Sequence, residues 1–74
     1  MPPKIRELKS MLRKAGFIER NAKGSHTRWV HSSFRDLYVT ISGQDGADAK
    51  PYQQDQVSEA IQGARQRLGD QHDE

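Results

Sequence analysis

The chain has 74 residues, 32% of them apolar and 30% charged. That is enough for one small domain whose thin core supplies roughly 3–5 kcal/mol of net stability. It contains no cysteine, which excludes a disulfide-stapled secreted scaffold and any thiolate metal site. No apolar run approaches the roughly 20 residues needed to cross a bilayer. The opening Met1-Pro2-Pro3-Lys4 leads into a polar amphipathic stretch and not into the apolar segment of a signal peptide. A cytoplasmic address is therefore expected, with no membrane partner.

Net charge is only +2, but residues 1–35 hold nine Lys/Arg against Glu7 and Glu19, for +7, and residues 36–74 carry −5. Such asymmetry points to a polyanion-facing surface on the first half. Charge alone leaves a merely solvated face as the alternative.

From about Pro3 to Ala15, Ile5, Leu8, Met11, Leu12 and Ala15 recur at helical spacing, an apolar arc about 120° wide. Pro3 suits the first helical turn, and Gly16 the left-handed residue that stops the helix. On the same wheel Arg6, Lys9 and Arg13 form a basic stripe beside the buried face, available to phosphates. Phe17-Ile18-Glu19-Arg20 reads as a short strand and Asn21-Ala22-Lys23-Gly24 as the turn after it. Ser25 to His31 is a second strand and Leu37 to Ile41 a third, with Leu37, Val39 and Ile41 facing one way and Tyr38 and Thr40 the other. Short connections imply an antiparallel meander.

Residues 42–50 compose a loop and Pro51 marks the approach to a last helix, whose arc is Val57, Ala60, Ile61, Ala64 and Leu68. Gly63 inside it costs roughly 1 kcal/mol against Ala unless something packs closely there. Gly69 is the expected terminator, giving one domain over residues 1–69 and a flexible polar tail over 70–74. The expected fold is α+β, in the order α-β-β-β-α, with two helices on one face of a three-stranded antiparallel sheet. The other face stays open.

The chemistry concentrates in Lys23-Gly24-Ser25-His26-Thr27-Arg28-Trp29. Gly24 permits a tight turn and close backbone approach. Strand alternation groups His26, Arg28 and Val30 on one face and Thr27, Trp29 and His31 on the other. Trp29, the largest apolar side chain, should face the helices, which leaves His26 and Arg28 on the open face near Lys23. An imidazole, with an ordinary pKa of about 6.5, can accept the proton of a ribose 2′-hydroxyl or protonate a leaving 5′-oxygen near neutrality. Lys and Arg beside it would balance charge growing on the phosphate. By itself this pattern also describes an ordinary surface histidine.

His31 lies five residues further and on the other face, so it reads as structural, and His72 as inert. No His and carboxylate set has metal-ligand spacing, and residues 43–48 lack the ligands of a calcium loop, so neither a metal nor another cofactor is expected. Tyr38 is either a partly exposed strand tyrosine or a platform for an unpaired base.

From Lys4-Ile5-Arg6-Glu7-Leu8 through Lys14-Ala15-Gly16-Phe17 and Gly24-Ser25-His26 to the helix after Lys50-Pro51-Tyr52, the chain resembles the HicA family of toxins from toxin–antitoxin modules. The segment Ile41-Ser42-Gly43 to Lys50-Pro51-Tyr52 departs from the pattern, since many members have a shorter connection and a Gly-Thr opening to the last helix. The resemblance implies a fold like double-stranded-RNA-binding domains and a metal-independent endoribonuclease that cleaves mRNA and so lowers translation. It maps the catalytic histidine onto His26, and it implies a HicB-type antitoxin that covers the active face. Lys23, Gly24, Ser25 and Arg28 are the expected substrate-binding residues, with Arg6, Lys9 and Arg13 extending the track. No direct DNA binding is expected of the toxin alone. The alternatives are an RNA-binding module without catalysis, using the same basic face, and a protein-interaction adaptor.

Overall fold

The amphipathic N-terminal segment forms helix α1 (Ile5–Lys14), in a computed structural model that describes residues 1–72. Ile5, Leu8 and Leu12 are fully buried, as the arc requires, but Met11 is 45% exposed. It stands at the extreme of the arc, where the helix face turns away from the sheet. Pro3 does not occupy the first turn: Lys4 is the N-cap in an extended conformation, and the Pro3 carbonyl accepts the Ala49 N–H at 2.8 Å. The N–H groups of Ile5 and Arg6 donate to the carbonyls of Ala47 and Asp45, while those of Glu7 and Leu8 donate to Lys4 O. The Leu8 bond is the first regular turn of the helix, and the Lys4 N–H donates to the Glu7 carboxylate at 2.9 Å, so the four donors that an α-helix leaves orphaned at its start, those of residues 4–7, are all satisfied. The 42–50 loop is thus the N-terminal cap of α1.

Gly16 ends α1 with φ +97°, the left-handed conformation that glycine tolerates best. Its carbonyl accepts the Ser32 N–H at 3.0 Å, and a Cβ on it would lie 2.9 Å from His31 Nε2. The chain then enters β1 (Phe17–Lys23), β2 (His26–His31) and β3 (Tyr38–Ser42), an antiparallel sheet in the order β1-β2-β3. β1 is longer than its composition suggests. Asn21-Ala22-Lys23 pairs with Thr27 and its neighbours instead of turning, and the turn shrinks to Gly24-Ser25. Gly24 has φ +61° at the first central position, where the II′ class of two-residue turn takes glycine. The register slips by one residue between Glu19 and Asn21, leaving Arg20 as a bulge.

Burial alternates along β2, with Thr27, Trp29 and His31 buried and His26 and Arg28 exposed. Trp29 joins Phe17, Val39 and Ile41 under the two helices, and its indole N–H donates to Thr27 Oγ1 at 3.0 Å. The Thr27 hydroxyl donates onward to Ile41 O. Inverting the faces of β2 would expose the largest apolar side chain and orphan this network, so the outward aim of His26 is fixed by its neighbours.

Helix α2 (Pro51–His72) opens with Pro at its first position, where the missing N–H costs nothing. Gln53 bridges it to the sheet, accepting the Lys50 N–H and donating to Ser42 O, each at 2.8 Å. Val57, Ala60, Ile61 and Ala64 are buried. Gly63 makes room for Leu37, whose Cδ1 lies 3.4 Å from where a Cβ would stand, which offsets its low helix propensity. The helix does not stop at Gly69 but continues to His72. Asp73 and Glu74, the end of the expected polar tail, lie outside the described residues. The expected architecture holds: α+β, helix–three strands–helix, with two helices packed against an antiparallel sheet.

Candidate active site

The open face of the sheet is organised in three cross-strand rows. Register places Lys23, His26 and Ser42 in the first, Arg28 and Thr40 in the second, and Ile18, Val30 and Tyr38 in the third. The Gly43 N–H donates to Ser25 O and the His31 N–H to Leu37 O. These bonds flank His26–Ser42 and Val30–Tyr38 as non-hydrogen-bonded pairs, the closer kind, with Cα atoms about 4.5 Å apart. Side chains of β2 and β3 therefore crowd together on this face.

His26 is exposed at the first position of β2, beside the Gly24-Ser25 turn and opposite Lys23. Arg28 follows two residues on, about 6.6 Å along the strand, with its guanidinium carbon 4.4 Å from the centroid of the exposed Tyr38 ring. Among the described residues, no ion pair engages Lys23, His26 or Arg28. None of the residues in the three rows is acidic.

The other histidine is used differently. His31 is buried, its Nε2 3.1 Å from Ala15 O and its Nδ1 accepting the Ser33 N–H at 3.0 Å. Since Nδ1 accepts, Nε2 carries the proton and donates to Ala15 O. The ring stands edge-on to Phe17 and stacks on Phe34, at centroid distances of 5.0 and 4.8 Å. It is a structural pin, as its place in the strand suggested.

The predicted basic stripe is split from this cluster. Arg13 lies over the Trp29 ring at 5.2 Å, and Trp29 faces the helices, so Arg13 and Arg6 stand on the helix side of the sheet. Lys9 reaches the end of the sheet, where a cleft of about 560 Å³ runs between the Gly24-Ser25 turn and the loop residues Gln44 and Asp45. There its ammonium pairs with Asp45 at 2.7 Å. The Lys9 hydrogen bond, then the charges of Lys9, Arg6 and Arg13, hold the Asp45 carboxyl below the usual carboxylate range. Part of the stripe's charge is therefore balanced inside the molecule.

Two cations that sequence reasoning left unassigned join the open face. Arg20, the bulged residue, and Arg35, from the β2–β3 connection, line a groove of about 390 Å³ with Ile18, Val30 and Ser32. Both were visible as basic residues in the positive half of the chain, but nothing local marked them as neighbours. Among the described residues, no group of three or more His, Asp or Glu side chains is arranged to hold a metal ion, and no helix is long and apolar enough to cross a membrane.

Residues 5–63 match the family model described as HicA toxin of bacterial toxin-antitoxin. The chain belongs to the HicA toxin family. The match covers α1, the whole sheet and more than half of α2, so the His26 cluster falls within the HicA domain. Membership makes the protein the toxin of a toxin–antitoxin pair, with an antitoxin as its partner. Comparison with curated proteins returns no match.

Proposed function

We propose that this HicA-family toxin is a metal-independent endoribonuclease that cleaves single-stranded mRNA in the cytoplasm and so lowers translation. The observation that carries this reading is the exposed His26 imidazole, flanked by Lys23 and Arg28 on a sheet face with no carboxylate in its rows. A 2′-hydroxyl gives up its proton and its oxygen bonds to phosphorus. The bond to the 5′-oxygen breaks as that oxygen gains a proton, leaving a 2′,3′-cyclic phosphate and a 5′-hydroxyl. His26 takes one of these two proton transfers. Lys23, Arg28 and the backbone at Gly24-Ser25 hold the phosphate and its growing charge. Lys9, Arg6 and Arg13 extend the track around the turn onto α1, Lys9 exchanging Asp45 for a phosphate.

A HicB-type antitoxin would inhibit by covering the open face, where its acidic groups meet the same cations. A non-catalytic RNA-binding module would use the same face, and cleavage separates the two. Purified protein incubated with labelled RNA and EDTA is expected to cut it and to leave cyclic phosphate ends. RNA with 2′-O-methyl groups throughout should bind without being cut. Binding without cleavage of the unmodified RNA would overturn the nuclease assignment.

A further inference from the structure

Beyond the cluster at the turn, the open face carries a second feature that the proposed chemistry does not use. Ile18, Val30 and Tyr38 form one continuous row across all three strands, with Ile18 47% and Tyr38 52% exposed. Large apolar side chains left in water on a sheet face cost stability that burial would recover. The row is bordered by cations on both sides. Arg28 lies over the Tyr38 ring, and Arg20 and Arg35 line the groove against Ile18 and Val30.

An apolar floor with an aromatic ring, bordered by guanidinium groups, has the chemistry of a nucleotide subsite. The base stacks on Tyr38, and Arg20 and Arg35 take the adjoining phosphate. His26 and Val30 are four residues apart, about 13 Å along the strand, longer than one nucleotide repeat. A base resting there therefore belongs to a neighbour of the cleaved nucleotide, not to that nucleotide itself. Only an unpaired base can offer its face to the floor, because duplex bases are already stacked and paired. The positive border and the lack of acidic residues in the rows favour a nucleic acid strand over a basic or neutral protein surface.

We propose that the Ile18–Val30–Tyr38 row, with Arg20 and Arg35, is a base-stacking subsite that seats an unpaired base about two nucleotides from the scissile phosphate. It makes the enzyme selective for single-stranded RNA. The inference rests on the ribonuclease reading for its substrate, but its test reads binding.

Short RNA oligonucleotides carrying 2-aminopurine at successive positions are titrated against the His26→Ala protein. Wild-type protein maps the cleaved bond in the same sequence. The expected result is fluorescence quenching that peaks at one position about two nucleotides from that bond. Tyr38→Ala, folded by circular dichroism, should abolish the peak and weaken binding about tenfold. Tyr38→Phe should keep both, and Arg20→Ala with Arg35→Ala should weaken binding without moving the peak. Unchanged quenching and affinity in Tyr38→Ala would overturn the subsite, even if wild-type protein cleaves. Quenching lost with Tyr38 while wild-type protein leaves all RNA intact would uphold the subsite and sink the nuclease reading alone.

Discussion

Two histidines five positions apart on one strand have opposite fates, because a strand reverses its side-chain direction at every residue. His31 points inward, hydrogen-bonded at both ring nitrogens and packed against Phe17 and Phe34. His26 points outward and is exposed. Replacing each by Ala should separate stability from function. His31→Ala removes a buried ring and leaves the Ser33 N–H without its acceptor. It should cost about 2–4 kcal/mol, most of the roughly 3–5 kcal/mol that a core of this size supplies. His26→Ala should stay within about 0.5 kcal/mol of the parent, as exposed substitutions do. Urea denaturation checks both, and a large loss in His26→Ala would give that side chain a structural role that the fold does not assign to it.

At the scale of elements, ion pairs distant in sequence hold the periphery together. Asp36 accepts both guanidinium nitrogens of Arg67 at 2.8 Å, clamping the β2–β3 connection to α2, and Asp45 pairs with Lys9 of α1. The Arg67 hydrogen bonds hold the Asp36 carboxyl below its ordinary value, as those of Lys9 do for Asp45. A carboxyl lowered in the folded state binds fewer protons there than in the unfolded chain. Its contribution is therefore present above the unfolded value of 3.8 and is lost as pH falls through the lower folded value. The urea midpoint should fall between pH 5 and pH 2.5, and should fall less steeply in an Asp36→Asn/Asp45→Asn variant. Equal slopes would mean that the two pairs are not formed in solution.

These pairs also mark where the sequence stops being legible. Periodicity disclosed both helices, and alternation around Trp29 disclosed which face His26 takes, because a buried Trp dictates the side of every residue on its strand. The length of β1 was hidden. Asn21 and Gly24 are both turn formers, and only pairing with β2 shows that Gly24-Ser25 alone closes the hairpin. The service of the 42–50 loop to α1 was hidden for a related reason, since its backbone carbonyls, not its side chains, reach Ile5 and Arg6. Lys9 read as a free phosphate ligand because Asp45 lies 36 residues away in sequence. Arg20 and Arg35 escaped assignment because a bulge and a connection, rather than a shared motif, place them beside Ile18 and Val30.

Over the whole molecule the charge division of the sequence becomes a division of surfaces. The open face carries Lys23, Arg28, Arg20 and Arg35 around its apolar row, while the acidic residues Asp36, Asp45 and Asp48 neutralise Arg67, Lys9 and Lys4 elsewhere. Single-stranded RNA that contacts these four cations should bind with a log–log salt slope of about −3, at about −0.7 per neutralised phosphate. Fluorescence titration of a short oligonucleotide against His26→Ala protein measures it. Arg20→Ala and Arg35→Ala should each flatten the slope by about 0.7, and a slope indifferent to salt would remove the open face from RNA binding.

The outward imidazole of His26 is thus assigned a proton transfer at a scissile phosphodiester. The single-turnover cleavage rate of one RNA, compared between wild-type and His26→Ala protein at saturating enzyme, tests it most directly. The expected fall is about 10²–10⁴-fold, the usual contribution of a positioned acid or base, with binding retained. A variant that cleaves within a few-fold of the wild-type rate would contradict it.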